Sequence, residues 1–232
     1  MAKLYLVPNV LSESEWQNVM PAQLFNILTN TRHFIVEDIR TARRFMKQVN
    51  REINIDECIF FELNKRTKFT EIPSFLKPME QGFDVAVISE AGCPGVADPG
   101  ADVVRIAHQK NYKVVPIVGP SSILLALMAS GLNGQNFAFK GYLPVKPNER
   151  AKEIAVLDKR VISQRQTQIF IETPYRNNHL INDLLKTCSP ATLLCIAANI
   201  TGENEYIATK NIQEWKRNVP DLHKQPAIFL LG

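Results

Sequence analysis

Residues 84–100, DVAVISEAGCPGVADPG, decide how the rest of the chain is read. Val85, Ala86, Val87 and Ile88 form a short, almost wholly apolar run. Such a run suits a central parallel strand covered on both faces. Regular patterning then stops between Ser89 and Pro99, where Gly92, Pro94, Gly95 and Pro99 crowd together. Glycine permits positive φ or close approach of a ligand to the backbone, and proline stiffens the loop around it. Asp98-Pro99-Gly100 reads as an N-cap and first turn, leading into the helical spacing of Val103, Val104, Ile106 and Ala107. A plain strand-to-helix link is the competing reading, but such links take about 2–6 residues. A longer, stiffened loop beyond the carboxyl end of a central strand is where open α/β sheets bind ligands.

Outward from this stretch, strand-like runs occur at Leu4–Val7, Phe34–Val36, Cys58–Phe61 and Val114–Ile117. Helical spacing lies between them near Ala22–Leu28, Ala42–Val49, Ile72–Met79 and Val103–Ala107. Alternation of this kind predicts a mostly parallel sheet with helices on both faces. In VGPSSILLALMASGL, Ser121 and Ser122 can cap an apolar helix that runs to Ser130, with Gly131 as its stop. A second set of strand candidates follows at Phe137–Lys140, Ile169–Ile171, Leu193–Ala197, Tyr206–Ala208 and Ala227–Leu231. Helical patterns near Ala151–Leu157, Leu180–Leu185 and Asn211–Trp215 interleave with them. The expectation is an α/β protein of two domains, residues 1–117 and 118–232, with about five strands in each.

The 232 residues are 45% hydrophobic and 22% charged, enough for a large core and without a disordered tract. A net charge of +4 permits a nucleic-acid partner without requiring one. The four cysteines, 58, 93, 188 and 195, have no metal-ligand spacing, and Cys58 and Cys195 read as buried reduced thiols. The four histidines are scattered, so no metal is expected. Neither a cationic-then-apolar leader nor a long apolar run is seen, and a cytoplasmic protein without a membrane partner is expected.

The first 81 residues contain no glycine. That excludes a glycine-rich dinucleotide fingerprint after the first strand. Gly95 and Gly100 have the GxxxxG spacing, but Ala101-Asp102 follow instead of Lys-Ser/Thr, so there is no phosphate-binding P-loop. Glu37-Asp38-Ile39-Arg40 ends the second strand as a candidate polar cluster in which one carboxylate raises the pKa of the other. The competing reading has Asp38 capping a helix and Arg40 solvated. Glu172-Thr173-Pro174-Tyr175-Arg176 is a comparable strand end, open to the same reading as a capped helix start. Lys140 and Lys146 stand where they can meet phosphates.

These segments together resemble the tetrapyrrole methylase superfamily of S-adenosylmethionine-dependent methyltransferases. Within it the chain is most similar to the ribosomal RNA small subunit methyltransferase I branch. The similarity runs through LYLVP at 4–8, VEDIR at 36–40, ISEAGCPGVADPG at 88–100 and PIVGPSSILLALMASGL at 116–132. It continues through FAFKGYLPVKPNER at 137–150, FIETPYR at 170–176 and AIFLLG at 227–232. The resemblance implies S-adenosyl-L-methionine held in a cleft between two α/β domains, a ribosomal RNA acceptor methylated on a ribose 2′-hydroxyl, and a homodimer. It places the cofactor against Pro8, against Ser89, Ala91, Gly92, Cys93 and Pro94, and against Gly119, Pro120, Ser121 and Ser122. Ile171, Glu172, Thr173, Ala197, Asn199, Pro226 and Ala227 enclose the rest. Glu37, Asp38 and Arg40 are the candidate catalytic residues, with Lys140, Lys146, Arg150 and Arg176 on substrate. The chain departs from the branch at Val10-Leu11-Ser12-Glu13, at Glu90 in place of aspartate, and at Asn199-Ile200-Thr201-Gly202. Alternatives are a diverged methyltransferase acting on a tetrapyrrole-like or other small molecule, and a non-catalytic cofactor-binding paralogue.

Overall fold

A computed structural model describes residues 2–232. The chain forms two compact units, the first ending at Ser121 and the second running Ser122–Gly232. The first contains, in order, β1 (Lys3–Val7), α1 (Gln23–Asn30), β2 (His33–Val36), α2 (Ile39–Val49) and β3 (Ile59–Glu62). It continues with α3 (Ile72–Phe75), α4 (Lys77–Glu80), β4 (Val85–Ile88), α5 (Ala101–Gln109) and β5 (Lys113–Pro116).

Its sheet has the order β3-β2-β4-β1-β5, with every pairing parallel. β4, the apolar Val85–Ile88 run, is the middle strand and all four residues are buried. Side chains alternate across a strand, so each sheet face receives its own core. Phe34, Val36, Ala86 and Ile88 pack under α1 and α2 with Leu24, Leu28, Phe45 and Met46. Ile35, Val85 and Val87 pack on the opposite face with Phe75, Met79, Val103 and Ile106 of α3, α4 and α5. Full burial of each large apolar side chain is worth about 1.5–3 kcal/mol.

Two local expectations change. Asp98 does not cap α5; its Oδ1 accepts from Gly100 N at 2.8 Å and Gly95 N at 3.3 Å, and Gly100 is the capping residue. Cys58 lies just before β3 and is half-buried, because β3 is an edge strand; Cys195 is buried as expected.

The second unit runs α6 (Ser122–Ser130), β6 (Phe137–Tyr142), α7 (Pro147–Gln164), β7 (Thr167–Ile171) and α8 (Asn177–Thr187). It ends with β8 (Leu193–Ala198), β9 (Tyr206–Asn211), α9 (Ile212–Trp215) and β10 (Ala227–Leu231). The sheet order is β6-β7-β10-β8-β9, and only β6 with β7 is parallel. One face carries Phe170, Leu194, Ile196 and Phe229 against Ile154, Leu157, Leu180, Leu184 and Trp215 of α7, α8 and α9. Trp215 is fully buried and its Nε1 donates to Leu194 O at 2.8 Å, which satisfies the indole.

Candidate functional site

The carboxyl ends of β4, β1 and β5 lie side by side, so the loops that leave them must meet. Asn9, two residues beyond β1, fastens the loop after β4. It is 4% exposed, and its Nδ2 donates to Ser89 O at 3.1 Å and Glu90 O at 3.2 Å. Its Oδ1 accepts from Val10 N at 2.8 Å. Asn9 and Gly92 also exchange two backbone hydrogen bonds of 3.0 Å, an isolated antiparallel bridge. Ser89, buried, donates its hydroxyl to Gly92 O. Gly92 has φ +69°, which favours glycine at this turn.

The turn after β5 closes on the same loop. Cys93 is half-buried with its Sγ 3.5 Å from Pro120 O, and burial pushes its thiol pKa up. Pro8, Ser89, Ala91, Gly92, Cys93, Pro94, Gly119 and Pro120 therefore share one edge of the first sheet. Gly119 is small for a reason other than ligand access. A Cβ there would lie 2.5 Å from Pro8 Cγ and 2.6 Å from Pro8 Cβ, so the space is already filled by the proline ring. Ser121 ends the first unit and Ser122 begins α6.

Between β2 and β4 the chain changes direction, since β2 leads outward to β3 and β4 leads the other way to β5. Crevices at such switch points are the ligand sites of open α/β sheets. A small pocket lies here, lined by Ile35, Val36, Glu37, Leu63, Val87, Ile88, Asp98 and Pro99. Beside Asp98, the carboxylates of Glu37, Asp38 and Glu90 stand around this edge. Asp38 takes the capping role: its Oδ1 accepts from Thr41 N at 2.8 Å, and that bond holds its pKa below the ordinary value. The carboxyl that is raised here is that of Glu90. Burial lifts the Glu90 carboxyl above its ordinary value, and the charges of Asp38 and Glu37 lift it further. Sequence reading noted Glu90 only as a departure, because residues 37 and 90 become neighbours solely through the pairing of β2 with β4. Asn9 was missed for the same reason, being joined to Ser89 only once β1 pairs with β4.

In the second unit, antiparallel pairing sets the start of β10 beside the ends of β7 and β8. Ile171 pairs with Ile228, and Ala198 with Ala227. This gathers Ile171, Glu172 and Thr173 with Ala197, Asn199, Pro226 and Ala227 at one edge. Asn199, at φ +50°, donates its Nδ2 to Gln225 Oε1 at 2.8 Å, and its N–H donates to Pro226 O at 3.0 Å. Glu172 is buried; its Oε1 accepts from Thr173 N at 2.7 Å and Arg176 Nε at 2.9 Å. Among the described residues, Glu172 Oε2 and Asn177 Oδ1 are buried acceptors without a donor.

The candidate substrate cations fare differently. Arg150 is 5% exposed; its Nε donates to Asp183 Oδ2 at 2.7 Å, and its remaining bonds go to the Pro144 and Val145 carbonyls. A guanidinium so enclosed ties down the 144–150 segment. Arg176 is held by Glu172, and exposed Lys146 pairs with Glu149 at 3.1 Å. Lys140, on the edge strand β6, is half-exposed. Among the described residues there is no His/Cys/Asp/Glu group suited to a metal ion, and no helix is long and apolar enough to cross a membrane.

The profile of the family Tetrapyrrole (Corrin/Porphyrin) Methylases matches residues 26–216. A protein of Pasteurella multocida (strain Pm70) named ribosomal RNA small subunit methyltransferase I is 30% identical over 175 residues, 74% of this chain and 61% of that protein. Its namesake in Bacillus subtilis (strain 168) is 30% identical over 212 residues, 91% of this chain and 64% of that protein. The chain thus spans about three fifths of the length of these curated relatives. The crystal structure of the methyltransferase CobJ superposes with a TM-score of 0.63 at 14% identity, over 100% of this chain and 92% of that one. That likeness is one of fold.

Proposed function

Because the chain belongs to the tetrapyrrole (corrin/porphyrin) methylase family, we propose that it is an S-adenosylmethionine-dependent methyltransferase whose acceptor is a ribose 2′-hydroxyl in small-subunit ribosomal RNA. The names of its relatives support the acceptor. The observation that carries the transfer reading is the edge where Asn9 staples the Ser89–Pro94 loop beside a carboxyl of raised pKa. The donor set suits the cofactor: backbone carbonyls at Gly119 and Pro120 and the carboxylate of Glu37 complement a cationic sulfonium and ammonium. In the second unit, the donorless Glu172 Oε2 and Asn177 Oδ1 suit the hydroxyls and amine of a nucleoside. Pro8, Ser89, Ala91, Gly92, Cys93, Pro94, Pro120, Ser121, Ser122, Ile171, Thr173, Ala197, Asn199, Pro226 and Ala227 remain the proposed cofactor contacts.

When bound, the sulfonium supplies an electrophilic methyl and a neutral thioether leaving group. The protein supplies alignment and a base. Asp38 serves poorly as that base, since its carboxylate is bonded to Thr41 N and held at low pKa. Glu90 serves better, because a raised pKa brings it nearer the working pH. It takes the hydroxyl proton as the new O–C bond forms, and Glu37 keeps the local potential negative. Arg40, in the first turn of α2, orients the acceptor strand. We further propose a cytoplasmic homodimer. Leu124 and Met128, one turn apart on the apolar helix α6, are 52% and 79% exposed, and a second copy can cover them.

The test is transfer of labelled methyl from the cofactor to small-subunit ribosomal RNA by the purified protein, with ribose mapping of the product. Methylation of one 2′-hydroxyl is expected. Transfer to a tetrapyrrole and none to RNA overturns the acceptor; no rise in melting temperature with S-adenosylhomocysteine overturns the cofactor.

A further inference from the structure

Given the RNA acceptor proposed above, we infer that the solvent face of α2 and the loop after β3 form a phosphate track that holds the RNA strand beside the carboxyl edge of the first sheet. Helix α2, IRTARRFMKQV, contains no acidic residue. Its buried residues are Ala42, Phe45, Met46 and Val49. Helical spacing then turns Arg40, Arg43, Arg44 and Lys47 outward in one row. Among the described residues none of the four forms an ion pair. Arg40 with Arg44, and Arg43 with Lys47, are like charges one turn apart and repel each other. A face built for solvation alone interleaves signs; this row is offset in part, by Asp38 near Arg40 and by the Arg51 carbonyl that accepts from Lys47 Nζ at 2.8 Å, and a cationic row of this kind is stabilised by a polyanion.

The row continues off the helix. Lys65, Arg66 and Lys68 are exposed in the loop after β3, again without ion pairs among the described residues. β2 and β3 are parallel neighbours, so the first turn of α2 and this loop leave the sheet at the same edge. Both therefore flank the pocket lined by Glu37, Leu63 and Asp98. Arg43 lies over the Phe60 ring at 5.1 Å, which fixes its guanidinium between helix and edge strand. From residue 40 to 47 the helix rises about 10 Å, longer than one phosphate, which favours a strand over a small anion. Of the four cations expected to grip RNA in the second unit, three are paired, Arg150 with Asp183, Arg176 with Glu172 and Lys146 with Glu149.

Binding of a labelled single-stranded fragment of small-subunit ribosomal RNA, followed by fluorescence anisotropy against salt, tests the track. One variant combines Arg44→Gln, Lys65→Gln and Arg66→Gln. A control combines Lys152→Gln, Lys159→Gln and Lys186→Gln, exposed residues of α7 and α8, and removes the same net charge. Each lost phosphate contact lowers the slope of log affinity against log salt by about 0.7, so the track variant loses about 2.1 units of slope. Between about 50 and 200 mM salt the wild type then weakens about 20-fold more than the track variant. The control is expected to keep the wild-type slope, and all three proteins the same melting shift with S-adenosylhomocysteine. Equal slopes for track variant and wild type overturn the track alone. If the wild type does not bind this RNA even at low salt, the acceptor proposal falls and the track with it.

Discussion

Replacing Asn9 by alanine removes three hydrogen bonds at a buried position, the two from Nδ2 at 3.1 and 3.2 Å and the one to Oδ1 at 2.8 Å. Each buried hydrogen bond is worth about 0.5–1.5 kcal/mol net, so the loss is about 3 kcal/mol. For a chain of this length that lowers the melting temperature by about 6–12 °C. Asn9→Asp distinguishes hydrogen bonding from shape. It fits the same space but sets a carboxylate oxygen against the Ser89 and Glu90 carbonyls, so it is expected to be less stable than Asn9→Ala at neutral pH. The sign follows from linkage: repulsion from the carbonyls raises the folded-state pKa of the new carboxyl. The variant is then relatively stable below the unfolded-state pKa and loses stability as pH rises through the folded one. Thermal melts at pH 4 and pH 7, followed by circular dichroism, read both effects. An alanine variant within about 2 °C of wild type, or an aspartate variant more stable than alanine at pH 7, refutes the staple.

Glu90→Gln is expected to lower methyl transfer by about 10²–10⁴-fold with cofactor affinity nearly unchanged, measured as kcat beside a thermal shift. The same substitution should raise stability at pH 7 and not at pH 4, because the folded-state pKa of Glu90 is raised and its ionised form is disfavoured as pH increases. Arg150→Ala leaves Asp183 and two carbonyls without their donor and should cost about 3–5 kcal/mol in denaturant melts, while the salt slope of RNA binding stays unchanged. Gly119→Ala drives a methyl into Pro8 and should lower stability by about 1–3 kcal/mol, whereas Gly134→Ala, with nothing within 4 Å, should be close to neutral by the same melt.

The first sheet was legible because its signals are local. An all-buried run such as Val85–Ile88 shows in composition alone, and so do the glycines and prolines that end it. The second sheet was legible in its strands but not in their directions. Alternating helix and strand patterns look alike whether the sheet is parallel or mixed. The one sequence signal was the 199–205 segment between β8 and β9, too short for a parallel crossover of a dozen or more residues. The polar sites were least legible, since their meaning lies in partners far along the chain. Arg150 looks solvated until Asp183 arrives 33 residues later, and Glu90 looks unremarkable until Glu37 and Asp38 stand beside it.

The order β6-β7-β10-β8-β9 has a consequence for biogenesis. The strand made last of the five occupies the centre, so β7 and β8 wait with one edge unpaired until residues 227–231 have been synthesised. The first sheet is complete by residue 116 and can form while translation continues. Until β10 inserts, two apolar strand edges are open to pairing with other chains, the hazard that edge strands carry generally. Slow synthesis across the 199–226 stretch, or crowding of nascent chains, lengthens that interval. Yield of folded protein should therefore depend on translation speed through the second unit more than through the first.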